Sequence, residues 1–173
     1  MFNQSAVKNQ VWDIFDDNNL AIAGLALSRA AEDSQQQVES ILGSENYLGF
    51  KAIRSKNYAS TANQHPAVTF ASKPILQNGK GEYVVAIVVR GTQPGNWDDY
   101  WTDISSLWGG FSTAADNLQI QLNEFLVDNC SAGIQDLRGK VKFFVTGHSL
   151  GAAVANVMAK NLSNEYGADN VFA

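Results

Sequence analysis

The stretch Val145-Thr146-Gly147-His148-Ser149-Leu150-Gly151-Ala152-Ala153, VTGHSLGAA, lies between two segments of opposite pattern. Residues 141–146 before it, VKFFVT, form a β-branched and aromatic run of strand character. After it, Ala152, Ala155, Met158, Ala159 and Leu162 recur at helical spacing. A strand passing straight into a helix must reverse sharply, and the pattern predicts an elbow in which Ser149 takes a strained positive φ. Gly147 and Gly151 flank the serine because a bulkier side chain two residues to either side collides with the turn. Ala152, Ala153 and Ala155 keep the helix slim enough to approach the sheet. Such an elbow holds the Ser149 hydroxyl clear of the sheet at a helix N-terminus, where backbone N–H groups and the dipole favour developing negative charge. Leu150 then supplies a backbone N–H facing an oxyanion.

Outward from the elbow, residues 83–89, YVVAIVV, are continuous and β-branched, as expected of a strand covered on both faces. Asn78-Gly79-Lys80-Gly81 gives a hairpin-like turn into that strand from a preceding one that includes residues 67–70, and residues 49–58 add a short strand. Asn18 or Asn19 is a candidate cap for a helix with Leu20, Ala23, Leu27 and Ala31 on one side, continued by Val38, Ile41 and Leu42 and ended by Gly43. Residues 112–128 read as a helix with Leu118, Leu122, Phe125 and Leu126 on one side. Gly139 turns the chain into the strand before the elbow, Gly167 closes the helix after it, and residues 170–173 begin another strand. The alternation predicts an α/β domain over residues 1–173, with a mostly parallel central sheet flanked by helices.

Composition bounds the function. The chain has 173 residues, 45% of them hydrophobic and 17% charged, which is ordinary globular composition. A formal charge of −5, with no Lys/Arg-rich run, argues against nucleic acid and against charge-driven binding to an anionic bilayer. The single cysteine, Cys130, excludes an internal disulfide framework, and no residues have metal-ligand spacing, so neither metal nor organic cofactor is implied. Residues 20–27 are apolar but far short of the roughly 20 residues that span a bilayer. The N-terminus lacks the basic start and apolar run of a secretory signal, so the chain as given reads as cytoplasmic, or as exported if a signal was removed.

The strand at residues 83–89 ends in Arg90-Gly91-Thr92, and Thr92 offers both a backbone N–H and a hydroxyl. VVRGT, then DYWTDI, then VTGHSLGAA together resemble the class 3 lipase family, the fungal-lipase-like α/β-hydrolases, in order from about Leu20 to the last residue. The resemblance implies lipase, phospholipase or related carboxylesterase activity, with lipid or another ester as substrate. It implies Ser149 as nucleophile and Thr92 and Leu150 as oxyanion-hole donors, with Gly147 and Gly151 as elbow supports. Asp103 matches the aspartate that orients the oxyanion hydroxyl. Gly109-Gly110-Phe111 resembles a His-x-Gly-Phe turn of the family, with Trp108 in place of the histidine. Residues 93–108 carry Trp97, Tyr100, Trp101 and Trp108 among Asp98, Asp99 and Asp103, and admit two readings. One is a mobile lid that makes interfacial lipid contact; the other is plain core packing.

The base is the gap in this pattern. Family order is serine, acid, histidine, yet no histidine follows Ser149. Asp169 precedes the last strand and Glu165 lies within the helix, so both belong at the sheet edge opposite the site. His148 is the spacer of the elbow, since consecutive side chains there diverge. His65 precedes the Arg90-Gly91-Thr92 strand, where the family has no triad member. The expectation is the N-terminal part of a longer enzyme, stopping soon after the elbow helix, with the acid and base beyond Ala173. A parallel strand edge left exposed there favours association. The alternatives are a catalytically inactive domain that binds lipid or protein, and an acyltransferase using the same nucleophile.

Overall fold

A computed structural model describes residues 17–59, 66–77, 80–91, 104–130 and 137–173. Five strands form one sheet in the order β1 (Ala52–Lys56), β2 (Val68–Gln77), β3 (Lys80–Val89), β4 (Val141–Gly147) and β5 (Val171–Phe172). The β1–β2 and β2–β3 pairs are antiparallel, while β3–β4 and β4–β5 are parallel. The sheet is therefore mixed, and the expected mostly parallel sheet is corrected on this point. The cause is local: a two-stranded hairpin closes with Gln77 opposite Lys80, and a hairpin is antiparallel by construction. Pro74 sits inside β2 because β1 reaches only as far as Ser72, so that end of β2 is an edge where a missing N–H costs no ladder bond.

Helices cover both faces. On one side α3 (Ile104–Asn129) and α4 (Leu150–Tyr166) bury Leu118, Leu122, Phe125, Leu126, Val154, Met158 and Leu162 against Phe70, Val85, Ile87, Val89, Phe143 and Val145. Phe70 stacks on Phe125 with ring centroids 5.8 Å apart. On the other side α1 (Asp17–Asp33) and α2 (Gln35–Gly43) bury Leu20, Leu27, Ala31, Val38 and Leu42 against Val84, Ala86, Val88 and Phe144. Residues of β3 thus alternate between two cores, which explains why its sequence is apolar without a break.

Three helix boundaries differ from the expected ones. The predicted continuous helix through residue 42 breaks at Ser34, whose extended backbone starts α2 and whose Oγ accepts from the Gln37 N–H. Asn18 and Asn19 lie within α1 instead of at its cap. The helix expected from residue 112 already includes Ile104, so Gly109-Gly110-Phe111 is helical and not a turn. Most of the aromatic segment 93–108 lies outside the described residues.

Packing on the α1 side is close. A Cβ on Gly24 would lie 3.5 Å from both the Phe144 ring and Thr146 Oγ1, and the Thr146 hydroxyl donates to the Gly24 carbonyl at 3.2 Å. This contact lays α1 along β4 and brings the end of the helix to the C-terminal edge of the parallel strands.

Candidate functional site

The site forms where β3 and β4 end side by side, Val89 opposite Gly147. Ser149 has φ 53° and ψ −125°, one of two non-glycine residues with positive φ among the described residues. It precedes the first residue of α4, makes no side-chain capping bond, and is exposed. The strained residue thus spends its hydroxyl on nothing in the turn. Two backbone bonds close the elbow, Gly151 N–H to His148 O at 2.9 Å and Ala152 N–H to Ser149 O at 3.0 Å. Leu150, as first residue of α4, carries an N–H that helix geometry leaves without an intrahelical partner.

The glycines are required by contact, not by flexibility. A Cβ on Gly147 would stand 2.6 Å from the Gly151 carbonyl oxygen. One on Gly151 would stand 2.6 Å from Val89 O and 2.7 Å from Arg90 O, so the helix start lies directly on the end of β3. A Cβ on Gly91 would meet His148 O at 2.7 Å, Glu32 Oε1 at 2.8 Å and Ser149 Cβ at 3.3 Å. The Arg90-Gly91 end of β3 therefore touches the elbow itself.

Side chains pin that strand end from both sides. The Arg90 N–H donates to Ala67 O at 2.9 Å, its Nη1 donates to Tyr58 O at 3.0 Å, and its guanidinium lies 5.1 Å from the Tyr58 ring centroid. Tyr58 in turn shares a 3.0 Å hydrogen bond with Thr69, and burial pushes its phenol above the usual range. The Gly91 N–H donates to Glu32 Oε1 at 2.9 Å. The same oxygen lies 3.5 Å from His148 Nδ1.

Of the residues expected at the site, the structure brings together Ser149, Leu150, Gly147 and Gly151. Thr92, Asp103 and His65 lie outside the described residues. His148, the one histidine among the described residues, faces Glu32. Asp169 belongs to a one-turn 3₁₀ helix, Ala168–Asn170, that leads into β5. Because β5 runs parallel to β4, Asp169 stands at the edge opposite Ser149. Glu165 is at the far end of α4, about 22 Å along the helix axis from the elbow. Glu32 had no signal in the sequence: nothing in residue spacing links a helix carboxylate to a glycine 59 positions away. Among the described residues, no group of His, Cys, Asp or Glu is arranged to hold a metal ion, and no helix is long and apolar enough to cross a membrane.

Comparison with known proteins gives one family. The class 3 lipase model matches residues 86–171, the span from the middle of β3 through β4, the elbow and α4 to β5. Neither a curated protein nor a solved structure matches the chain. The matched span contains Gly91 and the whole elbow, the parts whose contacts form the site. Over residues 86–171, just under half of its length, the chain matches the class 3 lipase family, whose general activity is hydrolysis of lipid esters.

Proposed function

We propose that the protein is a serine carboxylic-ester hydrolase acting on lipid-like esters through an acyl-enzyme on Ser149. The observation that carries this reading is the elbow: an exposed serine at φ 53°, between β4 and α4, packed against the end of β3. In the proposed reaction the Ser149 Oγ attacks the ester carbonyl carbon while a base takes its proton. The carbonyl electron pair moves onto oxygen, and the Leu150 N–H together with the Thr92 N–H and hydroxyl stabilises that oxyanion. Asp103 orients the Thr92 hydroxyl. Collapse of the tetrahedral intermediate breaks the bond to the alkoxide, which takes the proton from the base. Water then repeats the sequence on the acyl-enzyme and releases the acid.

The base is a histidine other than His148, paired with a carboxylate other than Asp169. His148 is turned to Glu32, and Asp169 is at the opposite edge. Neither a metal nor an organic cofactor enters the proposed reaction. The test is hydrolysis of p-nitrophenyl esters of graded acyl length by the complete natural protein and by Ser149→Ala. Loss of the serine is expected to lower kcat by about 10⁴-fold or more, as removal of a triad nucleophile does. Equal turnover by the two proteins would sink the proposal.

A further inference from the structure

We propose that Glu32 is a positioning residue of this site: its carboxylate fixes the end of β3 at Gly91 against the elbow bearing Ser149. The inference rests on the reading of Ser149 as nucleophile. Three observations carry it. First, the Glu32 side chain is only 17% exposed, and its Oε1 accepts from the Gly91 N–H at 2.9 Å while lying 3.5 Å from His148 Nδ1. One oxygen thus joins the strand end to the elbow. Second, Gly91 is buried, and a buried N–H needs an acceptor. The preceding N–H, on Arg90, is bonded to Ala67 O; the next goes to Glu32. Third, Glu32 is in the last turn of α1, where the helix dipole disfavours negative charge. Helix stability alone does not favour a carboxylate there, whereas the Gly91 amide uses it.

The consequence follows from distance. A Cβ on Gly91 would be 3.3 Å from Ser149 Cβ, so any shift of Gly91 is felt directly at the elbow that carries the nucleophile and the Leu150 N–H. Oxyanion donors act only within about 2.7–3.1 Å of the oxyanion. Losing the Glu32 acceptor frees Gly91 to seek another partner, and a displacement of about an ångström costs up to about 100-fold in rate.

The experiment uses the complete protein and a fluorophosphonate probe, reading the second-order rate of Ser149 labelling beside kcat and KM for a short-chain ester. Glu32→Met keeps the length and helix propensity of the side chain but offers no oxygen; Glu32→Gln keeps an acceptor. Expected are a labelling rate and kcat lowered about 10- to 100-fold in Glu32→Met, with KM within about twofold, and values for Glu32→Gln within about threefold of the parent. Equal labelling of parent and Glu32→Met, or equal loss in Met and Gln variants, overturns the proposal. The parent supplies a readout that needs no variant: the Gly91 amide is expected to be protected from hydrogen exchange, and a freely exchanging amide overturns the proposal as well. Absent labelling of the parent, matching Ser149→Ala, overturns the nucleophile reading itself; labelled parent without Glu32 dependence overturns this inference alone.

Discussion

At the scale of single residues, the site is built by atoms that are not there. Gly147, Gly151 and Gly91 each lack a Cβ that would stand under 3.0 Å from backbone of the neighbouring segment. Two of these requirements were legible in the sequence, because the spacing around Ser149 states them; the third was visible only as one letter of Arg90-Gly91-Thr92. Gly151→Ala tests the claim. Its Cβ meets Val89 and Arg90 backbone, which cannot swing aside as a side chain does, so α4 and β3 must separate. The expected cost is about 1–3 kcal/mol by urea denaturation, an overpacking penalty, with loss of activity beyond what the reduced folded fraction explains. Stability equal to the parent contradicts the contact. Glu32 was illegible for a different reason. Its partners Gly91 and His148 come from distant parts of the chain, and only the lie of α1 along β4 brings them together.

At the scale of elements, strands were easier to read than the places where helices stop and start. β3 announced itself through an uninterrupted apolar run and β4 through a β-branched and aromatic one, and the pairing of Gln77 with Lys80 answers the Asn-Gly-Lys-Gly signal between β2 and β3. The α1–α2 break did not show, because the apolar stripe continues across it and Ser34 differs little from its polar neighbours. Its capping bond is the physical signal. Ser34→Ala is expected to cost about 1 kcal/mol of stability, read as a lower urea midpoint, while Ser34→Asp retains most of it. An unchanged midpoint in Ser34→Ala contradicts the assigned cap. The longer α3 was missed for the opposite reason: Gly109-Gly110 suggests a break, yet both lie within the helix, where tertiary burial of its later turns outweighs the cost of two glycines. The expected parallel sheet failed at the level of proportion. The sequence pattern locates both kinds of strand connection, but the hairpin half of the sheet is as large as the crossover half.

At the scale of the whole molecule, two apolar layers clamp a sheet whose C-terminal edge carries the proposed chemistry, and the ionisable groups within those layers couple stability to pH. Lys73 on β2 donates to Leu48 O at 2.6 Å and lies over the Phe50 ring at 5.2 Å, and burial pulls its ammonium down to about 8 from an ordinary 10.5. Between those values the unfolded chain binds the proton and the native chain does not, so this group's contribution to stability rises with pH from 8 to 10.5. Below pH 8 the burial cost is present in full. The urea midpoint of the parent, measured relative to Lys73→Met, is expected to climb across that window; a flat difference contradicts the burial of Lys73. Burial also pushes the Cys130 thiol up to about 11, an opposite trend that cancels when two proteins sharing Cys130 are compared. Peptide mapping of the complete protein after fluorophosphonate treatment reads out whether the serine at the edge of this frame is the nucleophile. A phosphonyl adduct is expected on the peptide containing Ser149, absent in Ser149→Ala. A folded parent that carries no adduct there, or carries it on another residue, rules out Ser149 as the nucleophile.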